Sequence, residues 1–270
     1  MAWTKSKTAV VAAIVVVLAA GTTIITVKEL QEHKTYSWEV PKAAFGLFYK
    51  TPAQIEIVPT KFSTNGQWVC DSGRGAMGIA QPLKDIIQIA YMKDNLRTVI
   101  VTDLPSEKYD FFAKLSDKSD SEEPPSWATA LQKMITKKFG VKGHLEMRAT
   151  DVLLLQYRNR DVQGFKPADS LRKSMKLREG TAIRPANGQF AAFNQPLSTL
   201  NSFLERRLNS PIVDRTGLTN EYDFILKWDE PDSKQPNPEG LRQSLGDQLG
   251  LELISTNMPI EMLVVDKANR

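Results

Sequence analysis

Two long stretches of this chain restate one another, and a repeat constrains architecture before it says anything about activity. PLKDIIQIAYMKDNLRTVIVTDLPSEKYDFFAKL, from Pro82, is answered by PLSTLNSFLERRLNSPIVDRTGLTNEYDFILKW, from Pro196. LQKMITKKFGVKGHLEMRATDVLLLQY, from Leu131, is answered at equal length by LRQSLGDQLGLELISTNMPIEMLVVDK, from Leu241, and Gly140 and Gly250 fall at the same step.

Each copy opens with a helix behind a proline, a residue tolerated in a first helical turn. Leu83, Ile86, Ile87 and Ala90 recur at helical spacing, and Leu197, Leu200 and Leu204 repeat the stripe. A β-rich run follows (TVIVTDL, then PIVDRTGL), and then a period-two strand carrying Tyr109, Phe111 and Leu115, or Tyr222, Phe224, Leu226 and Trp228. In this alternation Asp223 faces solvent. The polar, proline-bearing segments SDKSDSEEPPS and DEPDSKQPNPE occupy the same slot and have too little apolar surface to order themselves. A second helix ends at Gly140 or Gly250, a left-handed C-cap, and two strands close each unit.

The expected fold class is therefore α+β: two helix-strand-strand-helix-strand-strand units, with mixed sheets and helices on one face. The first unit covers 28–157, with QIEIVPTKF adding a strand; charged Arg158–Gly180 is the linker; the second unit covers 181–270.

Thr8–Val27 (TAVVAAIVVVLAAGTTIITV) is uncharged and bracketed by Lys5, Lys7 and Lys28. Twenty residues at ~1.5 Å each match a hydrocarbon layer of ~30 Å. A removed signal peptide would stop near Ala20, but the apolar run continues through Ile24, Ile25 and Val27, which favours an uncleaved anchor. Residues 1–7 then form a cytoplasmic tail, 8–27 cross the bacterial cytoplasmic membrane once, and the remainder is extracytoplasmic.

A net charge of +4 is too small to argue nucleic-acid binding. The basic cluster Arg172, Lys173, Lys176 and Arg178 lacks interleaved aromatics and reads as a solvated linker or helix face. Cys70 is the only cysteine, and His33 and His144 are the only histidines. An intrachain disulfide is impossible, and a histidine metal centre or Ser-His-Asp triad has almost nothing to draw on. His144 reads as a structural or surface residue in a strand. No cofactor, metal or catalytic residue is assigned.

Gly73-Arg74-Gly75-Ala76-Met77-Gly78 satisfies G-x-G-x-x-G, but no hydrophobic strand runs into it and the second copy lacks it, so a flexible loop is the better reading. Asp71-Ser72-Gly73 and Asp214-Arg215-Thr216-Gly217 suggest an aspartic-protease pair, yet they occupy non-equivalent positions in the repeat. In PIVDRTGLTNEYDF, Asp214 can brace a turn and Gly217 can take positive φ. A structural role comes first for this segment; an exposed binding edge formed by Asp214, Arg215, Thr216 and Gly217 is the alternative.

These same residues carry a resemblance. IRP…PIVDRTGLTNEYDFILKW and LRQSLGDQLGLELISTNMPIEMLVVDK, with QIEIVPTKF, PLKDIIQIAY, LPSEKYDFFAKL and MITKKFGVKGHLEMR, resemble the soil-associated bacterial protein family. Asn220-Glu221 departs from it, standing where the family often has a glycine-containing turn. The resemblance implies a paralogue-rich, exported or membrane-tethered domain without assigned chemistry. Each half also resembles, in element order alone, the short N-terminal domain of secretins and TonB-dependent receptors. The expected function is a non-catalytic binding or envelope-signalling module with a protein or peptide partner. The alternatives are a hydrolase using Asp71, Asp214 and Asp223, and a structural envelope component assembling through its repeats.

Overall fold

The computed structural model describes residues 36–174, 182–186, 188–230 and 237–268. The expected tail and anchor, His33, Lys176 and Arg178 lie outside the described residues. Among the described residues no helix is long and apolar enough to cross a membrane.

The fold is α+β, and the described residues form one mixed and two antiparallel four-stranded sheets. The chain divides into two compact units: one runs to Ala90 and includes Leu104–Lys138, and the other combines Tyr91–Asp103 with the chain from Phe139. This corrects the sequence-based boundaries of 28–157 and 181–270. The reason is strand pairing, because Thr98–Ile100 hydrogen-bonds in parallel to the last strand of the chain.

In the first unit the strands are β1 (Gln54–Pro59), β2 (Gln67–Asp71), β3 (Gly75–Pro82) and β5 (Lys108–Lys114), ordered β1-β5-β3-β2. Its helices are α1 (Phe45–Lys50), α2 (Leu83–Tyr91) and α3 (Ser126–Phe139). The stripe expected on α2 is buried in full, because spacing at 3.6 residues puts Leu83, Ile86, Ile87 and Ala90 on one side. On one sheet face Trp38, Phe48, Met77, Ile79 and Phe112 form a core.

In the second unit β6 (Val141–Tyr157) and β12 (Leu251–Lys267) pair antiparallel along their whole length. Each is one continuous strand where two were expected: the partner run supplies an unbroken ladder, so no turn is needed between them. β4 (Thr98–Ile100) adds parallel to β12 and β10 (Ile212–Asp214) adds parallel to β6, giving the order β10-β6-β12-β4. The third sheet is ordered β7-β11-β9-β8, from β7 (Lys166–Pro167), β8 (Ala182–Ala186), β9 (Gln189–Pro196) and β11 (Glu221–Lys227). Residues 158–174, expected as linker, therefore contribute an edge strand and a short helix, α4 (Ser170–Ser174).

Helices α5 (Leu197–Leu208) and α6 (Pro238–Leu249) bury Leu200, Phe203, Leu204, Leu241, Leu245 and Leu249 with Phe190, Phe224 and Leu155 in one core. Gly140 and Gly250 follow α3 and α6 at φ +66 and +69, matching the expected helix stops.

Candidate functional site

The Asp214–Gly217 turn is built from the end of β10. The Arg215 N–H donates to Leu155 O at 2.8 Å, carrying the parallel ladder one residue past the strand. Asp214 Oδ1 then accepts both the main-chain N–H and the hydroxyl of Thr216, each at 2.8 Å, and Thr216 Oγ1 accepts the Leu218 N–H at 3.1 Å. Gly217 sits at φ +75. Asp214 thus braces the turn. Thr216 is buried, while Asp214, Arg215 and Gly217 remain exposed, so the turn is a braced surface feature that leaves the Arg215 side chain in solvent.

Asp223 departs from expectation. It is fully buried, because the β9–β11 register shifts between Tyr222 and Phe224 and breaks the alternation there. Its Oδ1 accepts the Asn194 N–H and its Oδ2 the Leu171 N–H, both at 2.8 Å. Asp110, on β5, is equally buried, and its Oδ1 accepts the Ala80 N–H at 2.8 Å. Ala80 and Asn194 have φ +54 and +53, so each aspartate secures a residue held in the left-handed region beside a bulge. Burial pushes the Asp110 carboxyl above its ordinary value, and the Ala80 N–H opposes that shift.

Asp71 ends β2, where it accepts from Arg74 Nη1 at 2.9 Å and from the Tyr49 hydroxyl at 3.0 Å. The three carboxylates considered for hydrolysis therefore lie in three different sheets, on β2, β10 and β11. Each is engaged with a main-chain donor or a basic or phenolic side chain. Among the described residues no three His, Cys, Asp or Glu side chains gather as metal ligands.

The glycine pattern is not a flexible loop. Gly73 lies in the tight turn joining β2 to β3, and Gly75 and Gly78 lie on β3. A Cβ on Gly75 would overlap the Ala113 carbonyl oxygen, and one on Gly78 would overlap the Phe111 ring. These glycines permit close strand packing. A dinucleotide fingerprint instead joins a strand to a helix N-terminus.

Cys70 is half-buried on β2, and desolvation, then the neighbouring Asp71 charge, pushes its thiol up to about 11. His144 lies on β6 with its Nε2 3.2 Å from Glu146, in keeping with the surface role expected of it. Arg148 first, then His144, holds the Glu146 carboxyl below its ordinary value.

Three features went unread in the sequence. Glu205 on α5 accepts from Arg97 Nη2 and, at 2.8 Å, from the Ile212 N–H. Glu230 accepts from Trp228 Nε1, Arg207 Nη2 and the Asn237 N–H, and the Trp228 hydrogen bond is the main reason its carboxyl is held low. Trp68 on β2 is 53% exposed. The turn residues flanking QWVCD signal a hairpin strand, so the third was available to pattern reading. The first two depend on contacts that local patterning does not encode.

Comparison with curated proteins gives no match, and neither does comparison with solved structures. The family model described as "Protein of unknown function (DUF3738)" matches residues 84–268, more than half of the chain, and the protein belongs to that family.

Proposed function

We propose that the protein is a membrane-anchored, extracytoplasmic binding or envelope-signalling module without catalysis, made of two copies of one unit behind an anchor at residues 8–27. The observation that carries this reading is the commitment of Asp71, Asp214 and Asp223 to turn and bulge geometry in separate sheets. A hydrolase of the carboxylate-pair kind needs two carboxylates converging on one substrate. The duplicated-unit part draws support from matched pairings. Ile212 aligns with Leu153 and Thr98 with Leu263, each a short strand added in parallel to a long one. Asp110 and Asp223 hold equivalent bulges.

The Asp214–Gly217 turn suits a protein or peptide partner, because it is braced from beneath and presents Arg215 to solvent. Cross-linking of full-length protein from position 219, beside the turn, in its native membrane is expected to capture a discrete neighbour. Capture should be lost when Arg215 is replaced by Glu. Labelling a Lys118→Cys, Cys70→Ser variant with a membrane-impermeant thiol reagent on intact cells tests the orientation, and labelling only after lysis would refute it. Substrate turnover by the purified protein that disappears in Asp214→Asn would overturn the non-catalytic reading.

A further inference from the structure

We infer that β2 is a self-association edge, where a second copy of this chain pairs antiparallel with the first through Gln67–Asp71. The strand lies at the end of the order β1-β5-β3-β2. Among the described residues, no main-chain group of Gln67–Cys70 bonds outside the β2–β3 ladder. Unpaired edges are normally guarded by proline, by charge or by shortness. The other sheet edges follow this rule: β1 carries Pro59, β7 Pro167 and β8 Pro185, and β4 and β10 have three residues each. QWVCD has no proline and is longer than β4 and β10, and its one charge, Asp71, is held by Arg74 at the turn.

Trp68 marks the same edge. In its own sheet it stands opposite Gly78, which offers no side chain to cover the ring. The occupant follows from self-complementarity. A twofold axis at Val69 sets Val69 against Val69, a β-branched pair suited to a sheet. It sets Trp68 against Cys70, an aromatic ring beside sulfur, and Gln67 against Asp71, an amide donor against a carboxylate. No like charges meet. The closed isologous pair leaves no further β2 edge for growth.

This inference is independent of the binding reading above, since a protein that recognises no other partner can still pair along β2. The test uses full-length protein in detergent, with mass measured by light scattering. The wild type is expected to be a dimer, and Trp68→Lys, which places a cation at the edge, is expected to halve that mass while leaving the circular dichroism unchanged. In a Cys70→Ser background, Val69→Cys is expected to form an intermolecular disulfide on mild oxidation, because directly opposed residues of an antiparallel pair lie within bridging distance. Lys118→Cys in the same background is the control that should not cross-link. A wild-type monomer overturns the proposal. So does a dimer that keeps its mass in Trp68→Lys and gives no Val69→Cys cross-link. If β2 amides become protected from exchange only when another envelope protein is added, the edge belongs to that protein and self-association is refuted.

Discussion

The carboxylate of Asp223 reaches back 29 residues along the chain to accept the main-chain N–H of Asn194 at 2.8 Å. Asn194 has φ +53, and its N–H turns away from the β9–β11 ladder at the bulge. The other oxygen of Asp223 takes the Leu171 N–H. Asp223→Ala would strip the acceptor from both donors in a partly buried site, and each orphaned group costs about 1–3 kcal/mol when buried. Denaturant unfolding of Asp223→Ala is expected to show a loss of about 3 kcal/mol. Asp223→Asn keeps one acceptor oxygen and should lose less. An alanine variant as stable as the wild type would show that the bulge holds itself.

Asp110 makes the matching contact, and its burial has a pH signature. Desolvation raises its folded pKa, outweighing the Ala80 N–H that stabilises the charged form. The folded protein therefore binds the Asp110 proton more tightly than the unfolded chain does, and this group's contribution to stability falls as pH rises from the ordinary carboxylate value through the raised one. Asp110→Asn retains an oxygen for Ala80 and does not ionise. It is expected to be more stable than the wild type at neutral pH, with the advantage shrinking as pH falls below that window. Unfolding curves measured across the acidic range check this; a variant less stable at neutral pH contradicts it.

These two aspartates also mark the boundary between what is local in the sequence and what depends on distant strands. The stripes on α2 and α5, the turn at Asp214 and the stops at Gly140 and Gly250 are local, set by spacing or by one residue's conformational range. Asp223 sits in an alternating strand and reads as solvent-facing until the bulge shifts its register, and that shift depends on a partner strand. The run DVLLLQY is legible as a strand, but its continuity with VKGHLEMRAT depends on β12, more than a hundred residues later. The exchange of β4 into the second unit leaves no local trace. Gly73, Gly75 and Gly78 mislead for a related reason: Gly75 and Gly78 allow approach to β5 and Gly73 allows approach to Ser119 and Asp120, which pattern spacing alone does not reveal.

Two glycine substitutions separate crowding from conformation. At Gly75, φ is +153 and an added methyl meets the Ala113 carbonyl, backbone that cannot step aside. Gly75→Ala is expected to lose on the order of 3 kcal/mol, in the range where a single change disrupts a small protein. At Gly217, φ is +75 but nothing lies within 4 Å of the added atom. Only the left-handed penalty applies, so Gly217→Ala should cost about 1 kcal/mol. Equal losses at the two sites, read from denaturant midpoints, would show that crowding against β5 is relieved by movement of the strands.

Glu205 offers a test of the exchanged segment. Its carboxylate accepts from Arg97, which precedes β4, and from the Ile212 N–H that opens β10; Arg97 Nη2 also donates to Ile212 O at 3.2 Å. The Arg97 side chain is 24% exposed and that of Glu205 10%, so solvent screens the pair only in part. Glu205→Ala leaves both a guanidinium and a main-chain N–H short of an acceptor and is expected to cost about 2–3 kcal/mol. Arg97→Ala leaves Glu205 still bound to Ile212 and should cost less. Because the three groups share one carboxylate, the double variant should lose less than the sum of the single losses, with a coupling of about 1–2 kcal/mol. Denaturant unfolding of the wild type, both single variants and the double variant completes the cycle. Strict additivity would mean that Arg97 and Glu205 contribute separately to holding the Tyr91–Asp103 segment in the second unit.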